Sequence, residues 1–214
     1  MPGRGALIVL EGCDRVGKTT QASKLLEKLQ HRGIPTQLLK FPDRSTSTGQ
    51  IINSYLTRKM DLPDKTVHLL FSANRWESEP QMKKLLNSGV TLIVDRYSHS
   101  GVAFSAAKNE MSIHWCYQPE IGLPKPDLVL FLTLNETAIS KRSGFGDERY
   151  ENSEFLKKVA SNFQRLKDDA WKIIDADKDI ETLNKELLLH VEKVIESVKD
   201  THLSYFDPIA MNNL

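Results

Sequence analysis

Gly12-Cys13-Asp14-Arg15-Val16-Gly17-Lys18-Thr19 is the stretch that decides how this chain folds. It satisfies the phosphate-binding pattern G-x-x-x-x-G-K-[ST]. The glycines permit positive φ and let backbone N–H groups face an anion. Lys18 is placed to reach the outer phosphates of a nucleotide, and Thr19 to ligate its Mg²⁺ ion. Thr20 follows at the start of the next helix, whose N-terminus adds a positive dipole.

The flanks match what the motif needs. Upstream, Ala6–Leu10 is a continuous apolar run stopped by Glu11, and it reads as a buried strand. Downstream, Lys18–Arg32 carries Ala22, Leu25, Leu26 and Leu29 at helical spacing. Gly33 fits the C-cap and Pro35 blocks continuation. Further strands are expected at Thr36–Phe41, Val90–Val94, Leu128–Leu132 and Trp171–Ile174. Helices are expected at Ile51–Arg58, Asp64–Ser88 (broken or kinked at Pro80), Ser98–Lys108, Ile113–Tyr117, Thr137–Arg142, Asn152–Ala170 and Ile180–Val198. Ser143–Tyr150 is glycine-rich and charged and reads as a short lid loop, and residues 200–214 show no period. Five apolar strands separated by helices imply an α/β, P-loop NTPase fold: a five-stranded parallel sheet with helices on both faces. In such sheets ligands bind beyond the carboxyl ends of the strands.

Bulk properties narrow the field. The 214 residues suit one domain, and 40% of them are apolar, enough for one covered core. Lys plus Arg number 29 against 28 Asp plus Glu, a net charge of +1, so no nucleic-acid-binding surface is expected. No apolar run approaches a membrane span, Pro2 excludes N-myristoylation, and Ala6–Leu10 is too short for a secretory signal. The two cysteines, Cys13 and Cys116, lack metal-ligand spacing and suit a reducing compartment, cytoplasmic or nuclear.

The phosphate loop needs a partner for the metal. Leu92-Ile93-Val94-Asp95 is a hydrophobic strand ending in aspartate and supplies one. A guanine-reading N/T-K-x-D segment is missing, since Pro124-Lys125-Pro126-Asp127 lacks the leading residue. The length fits a small kinase, which must hold a second anion opposite ATP. Arg44 and Arg96 directly follow strand ends, where the site must lie; Arg75, Arg142 and Arg149 are further cations.

Several ordered blocks then resemble the thymidylate kinases of the eukaryotic type. They are Glu11–Thr19, Phe41-Pro42-Asp43-Arg44-Ser45-Thr46, His68–Glu77, Asp95-Arg96-Tyr97 with Ser100-Gly101-Val102-Ala103, Pro119–Asp127 and Gly144–Glu151. The resemblance spans about Gly5 to Val198 and implies the reaction ATP + dTMP to ADP + dTDP, with Mg²⁺, in a homodimer. It implies a nucleotide site of Gly12, Asp14, Arg15, Val16, Gly17, Lys18, Thr19, Thr20, Arg142 and Lys178. It implies an acceptor site of Asp14, Phe41, Arg44, Phe71, Arg75, Arg96, Ser100, Gly101, Phe104 and Tyr150. Phe71 would stack on thymine, Arg75 would bond the base, and Arg44 and Arg96 would grip the acceptor phosphate. Asp14 would meet the sugar's 3′-hydroxyl, Tyr150 would disfavour ribose, and Arg15 would offset charge on the transferring phosphoryl group. Thr19 and Asp95 would hold the metal, and Lys18, Asp95, Arg15 and Arg96 form the catalytic set. Read alone, Phe71 at helical spacing with Val67 and Leu70 is a core residue. Cys13 replaces an aliphatic residue, Asp43 stands where Glu is common, and Leu156 where Gln is common. A kinase for dUMP or UMP, or a non-catalytic nucleotide-binding protein on the same fold, are the alternatives.

Overall fold

The computed structural model describes residues 3–134, 149–150 and 153–208. The expected helix at Thr137–Arg142 and the loop 143–148 lie outside the described residues. Five strands, β1 (Leu7–Glu11), β2 (Thr36–Lys40), β3 (Thr91–Asp95), β4 (Leu128–Thr133) and β5 (Trp171–Asp175), form one parallel sheet in the order β2-β3-β1-β4-β5. Between them run α1 (Lys18–His31), α2 (Ser47–Leu56), α3 (Asp64–Asn87), α4 (Ser98–Ala106), α5 (Ile113–Tyr117) with a 3₁₀ turn at Gln118–Glu120, α6 (Ser153–Leu166) and α7 (Ile180–Val198).

The alternation of side chains along each strand builds two cores. Leu7 and Val9 of β1 join Leu92, Val94, Val129 and Phe131 against the α3–α6 side. Ile8 and Leu10 join Ile93, Leu128, Leu130 and Leu132 against α1 and α7. Every residue of β1 and β3 is buried, as a strand covered on both faces requires. The chain switches direction about the central β1, whose neighbours are β3 and β4. The crevice for a ligand therefore opens at the carboxyl ends of β1 and β3, where Glu11 and Asp95 stand.

Three expectations change. The helix over Pro80 is neither broken nor divided: α3 runs through it, because Val67 before it and Met82 and Leu86 after it are all drawn into the core. α2 starts four residues earlier than the apolar period suggests, since Thr46 caps it by accepting from the Gly49 N–H at 3.0 Å. α6 ends at Leu166, because Asp168 closes a turn by accepting the Ala170 N–H at 3.0 Å. The tail, which shows no period, runs antiparallel to residues 122–125 through an isolated bridge between Pro124 and Tyr205. Phe206 donates to the Leu123 carbonyl at 2.9 Å and buries its ring against Tyr97, His99 and Tyr117.

Candidate active site

The loop from β1 to α1 takes the shape its sequence allows. Gly12 and Gly17 have φ of 136° and 97°, and a Cβ at Gly12 would stand 2.4 Å from the Leu132 carbonyl oxygen. Arg15 also adopts a left-handed φ, 67°, unusual for a side-chain-bearing residue and typical of strained functional loops. Val16 turns into the core behind the loop. Lys18 curls back, donating to the carbonyls of Gly12 at 3.1 Å and Cys13 at 2.6 Å. Burial, reinforced by the charge of Arg96, pulls its pKa down to about 8. Thr19 Oγ1 donates to Asp95 Oδ2 at 2.5 Å, joining the phosphate loop to the end of β3.

Arg96 stands next, again with a left-handed φ, 66°. Its guanidinium donates to Asp14, to Ser100 Oγ at 2.9 Å and to the Gly12 carbonyl at 3.3 Å, and it lies over the Phe104 ring at 5.3 Å. Burial would raise the Asp14 carboxyl; the Arg96 charge overrides it and holds it below the usual carboxylate range. Glu11, fully buried, accepts from the N–H groups of Tyr97 and Ser100 at 3.0 Å each and from the Ser100 hydroxyl. Burial pushes its carboxyl up.

Opposite the phosphate loop, α3 presents Phe71 and Arg75 one turn apart on the cavity wall. Phe71 is only partly buried, so its ring is a wall rather than core. Arg75 and Glu120 are buried together, Arg75 Nε and Nη2 donating to the two carboxylate oxygens at 2.7 and 2.5 Å. Burial alone would raise Glu120; the guanidinium overrides it and holds the carboxyl low. Gly101 permits this: a Cβ there would meet Arg75 Nη2 at 2.5 Å. Asn74 positions Arg44 by gripping the loop after β2. Its Oδ1 accepts the Asp43 N–H at 2.7 Å and its Nδ2 donates to the Asp43 carbonyl at 3.1 Å and to Thr46 Oγ1 at 3.0 Å. Arg44 itself donates to Asn53 at 2.9 Å.

One cavity of about 530 Å³ collects these parts. Among the expected site residues it is lined by Asp14, Arg15, Gly17, Lys18, Thr19, Thr20, Phe41, Arg44, Phe71, Arg75, Asp95, Arg96, Ser100, Gly101, Phe104 and Tyr150. Gly12 contributes carbonyl contacts from behind, and Val16 is structural. Lys178 is not in the lining; it pairs with Glu186 at 2.5 Å in the loop before α7, which Gln21 ties to α1 through the Ile180 carbonyl at 3.1 Å. Arg142 lies outside the described residues. Leu156 sits half-buried on α6, away from the cavity wall. Motif reading missed Lys40, Pro42, Leu56, Tyr97 and Ser105, which also line the cavity, and Glu11, Asn74 and Glu120, which hold its residues from behind. For Glu11 a signal existed, an acid closing an apolar strand as Asp95 does; Asn74 and Glu120 lie within the resembling blocks His68–Glu77 and Pro119–Asp127, but no role was read for them.

A parallel sheet with a phosphate loop at its switch point, and a second cationic wall facing that loop, define a P-loop nucleotide kinase. Sequence comparison carries this further. The family model described as thymidylate kinase matches residues 10–187, so the chain belongs to the thymidylate kinase family. It is 51% identical over 203 residues to the thymidylate kinase of Homo sapiens, covering 94% of this chain and 96% of that protein. It is 54% identical over 197 residues to that of Arabidopsis thaliana, covering 92% and 73%. The solved thymidylate kinase of Candida albicans superposes with a TM-score of 0.87 at 42% identity, covering 97% of this chain and all of that one.

Proposed function

We infer that this protein transfers the γ-phosphoryl group of ATP to dTMP, giving ADP and dTDP on the way to dTTP. The observation that carries this is one cavity with two unlike ends. In one lining, Arg15, Lys18 and Thr19 of the phosphate loop suit a triphosphate, while a flat ring, Phe71, and a buried guanidinium, Arg75, come from α3, and Arg44 and Arg96 add two further cations. A ring face suits a pyrimidine, and guanidinium forks suit a phosphate. Holding both anions in line is most of what phosphoryl transfer demands of a protein.

Each side chain has a role in that scheme. Lys18 exchanges the loop carbonyls for phosphate oxygens. Arg15 offsets charge on the phosphoryl group in flight. Arg44 and Arg96 hold the acceptor phosphate, and Asp14, already joined to Arg96, meets the sugar hydroxyl. Tyr150 stacks on Phe155 at 5.2 Å and lies 3.2 Å from the Tyr55 hydroxyl, which leaves it a rigid wall against a 2′-hydroxyl. Thr19 and Asp95 offer hard oxygens side by side, and no cluster of three metal-binding side chains occurs among the described residues. That pairing fits a Mg²⁺ ion carried largely by the nucleotide, which would neutralise phosphate charge there.

Assembly and location follow the same reasoning. Leu69 and Trp76, seven residues apart on α3, are exposed, and they support a homodimer packed along that helix. Cys13 and Cys116 are unpaired, which supports a cytoplasmic or nuclear setting, and no helix among the described residues is long and apolar enough to cross a membrane.

Coupled ADP-release kinetics over dTMP, dUMP, UMP, dCMP and dGMP test the assignment. The highest kcat/KM is expected for dTMP, and a higher value for UMP would refute it. Phe71→Ala should raise KM for dTMP and leave KM for ATP alone. Binding of ATP and dTMP without turnover would instead favour a non-catalytic protein.

A further inference from the structure

The sheet order divides the space around the phosphate loop. Arg44, Phe71, Arg75 and Arg96 follow β2 and β3 or stand on α3 between them. The phosphate loop follows β1. A donor whose outer phosphates meet Lys18 and face those residues must therefore extend its base to the other side of β1. The carboxyl ends of β4 and β5 stand there, and residues 176–179 follow β5.

One residue joins that stretch to the phosphate loop. Gln21, buried in the first turn of α1, donates its backbone N–H to the Gly17 carbonyl at 3.0 Å. Its side chain crosses the seam between α1 and α7, where Nε2 donates to the Ile180 carbonyl at 3.1 Å. Ile180 is the residue on which 176–179 enter α7. A carbonyl can only accept, so Nε2 must face it and Oε1 must point elsewhere. Oε1 accepts at 2.9 Å from Nδ2 of Asn184, fully buried one turn further along α7. Asn184 Oδ1 is then left buried with no hydrogen-bond partner among the described residues.

Stability does not account for this pair. The seam around it is apolar, with Ala22 and Leu25 from α1 and Leu183, Leu187 and Leu188 from α7. An apolar pair would pack there without stranding a carbonyl oxygen in the interior. What the amides add is direction, since they fix where the start of α7 sits against the start of α1. Lys24 and Lys28 also pair with Glu181 across the two helices, but those pairs are exposed and contribute little. The stretch itself is tied at both ends. Ala176 donates to the Thr133 carbonyl at 2.8 Å, and Asp179 Oδ1 accepts from the N–H groups of Glu181 and Thr182 at 3.1 and 2.9 Å.

Resting on the reading of the phosphate loop as the ATP site, we propose that Gln21 is a positioning residue for the base of the phosphoryl donor. It holds residues 176–179 at a fixed distance from the phosphate loop, so that one nucleotide meets both. Asn184 holds the Gln21 amide in the orientation that reaches Ile180. Neither side chain lines the cavity. Their effect is confined to the share of donor affinity that the base supplies.

The test compares ATP with inorganic tripolyphosphate, which can occupy the phosphate loop and has no base. Calorimetry on the intact enzyme with Mg²⁺ gives Kd for each, and kinetics give KM for dTMP. Wild type should bind ATP more tightly than tripolyphosphate. In Gln21→Leu, which suits the apolar seam, Kd for ATP should rise about fivefold or more, as for one lost hydrogen bond. Kd for tripolyphosphate and KM for dTMP should stay put. Asn184→Leu leaves the glutamine in place but frees its amide to turn. It should show the same split, and it decides the matter if Gln21→Leu fails to fold. A rise shared by ATP and tripolyphosphate would overturn the proposal, because it would place the pair behind the phosphate loop alone. So would an unchanged Kd for ATP in these variants. A wild type that binds ATP no more tightly than tripolyphosphate would instead overturn the reading of 176–179 as the base stretch. A wild type that binds neither would overturn the reading of the phosphate loop.

Discussion

The two ends of the cavity are built by different means. At the phosphate end, eight consecutive residues make the site, mostly through the backbone, and its cations are held by the loop's own carbonyls and by Asp14. At the base end, side chains from α3, α4 and the turn after α5 make the site, and its cation is held by a carboxylate 45 residues away in the chain. The first kind of site is set by local conformation, and the second by tertiary packing. Substitutions should therefore separate them: damage at the phosphate end should appear as lost rate, and damage at the base end as lost stability and acceptor binding together.

The largest effect is expected at Arg15. Its left-handed φ of 67° is one that glycine adopts freely, so Arg15→Gly should leave the loop unstrained. What is removed is a positive charge in the cavity lining, the one proposed to face the transferring group. A fall in kcat of about 10³-fold or more is expected, with KM values for both substrates within a few-fold of wild type. Steady-state kinetics and nucleotide binding decide it; a near-normal kcat would remove Arg15 from the transition state.

Next comes Glu120→Ala, which strands a buried guanidinium. A loss of about 3–5 kcal/mol in unfolding free energy is expected, with a raised KM for dTMP. Adding Arg75→Met should recover stability, since an apolar pair can replace a buried ion pair, but should not recover dTMP binding. Urea unfolding beside kinetics on the single and double variants checks this. If the double variant regains both, Arg75 serves the fold and not the base.

This contrast also explains what could be read in advance. The phosphate end was legible because its chemistry lies in contiguous residues whose spacing has one common use. The five parallel strands and the two-faced sheet followed from apolar runs alternating with helical periods; their order, β2-β3-β1-β4-β5, came only with the packed sheet. Phe71 could not be separated from a core residue by spacing alone, because Val67 and Phe71 share one face of α3 and only the position of the cavity decides between them. Glu120 and Asn74 lie inside the resembling blocks, but their roles did not show, since Arg75 and Asp43, which they hold, are distant in the chain. The tail was opaque for the same reason: its order comes from pairing with residues 122–125 and from one ring, Phe206, in a preformed aromatic cluster.

A milder effect sharpens the phosphate end. In the ligand-free site Lys18 releases its proton near pH 8, whereas bound phosphates favour the charged form. Above that pH, binding must take up a proton, so ATP affinity should fall as pH rises through and beyond about 8, by at most tenfold per unit. Calorimetry in buffers of different ionisation enthalpy should register the uptake. Lys18→Arg, charged throughout this range, should give a flat affinity profile over the same interval; a flat profile in wild type would place the lysine's titration well above 8.

The smallest effect is expected at Cys13, although it lies inside the phosphate loop. Its carbonyl is the part in use, accepting from Lys18 at 2.6 Å, and a carbonyl survives substitution. Its thiol is partly covered, and burial pushes it up despite the nearby charges of Lys18 and Arg96. Little nucleophilic thiolate is then present near neutral pH. Cys13→Ala should change kcat/KM by less than about twofold, and wild type should react slowly with iodoacetamide at pH 7.5. Fast labelling that ATP blocks would reverse this reading, because it would require a thiolate stabilised by Lys18 and Arg96, the cations proposed to hold the phosphates.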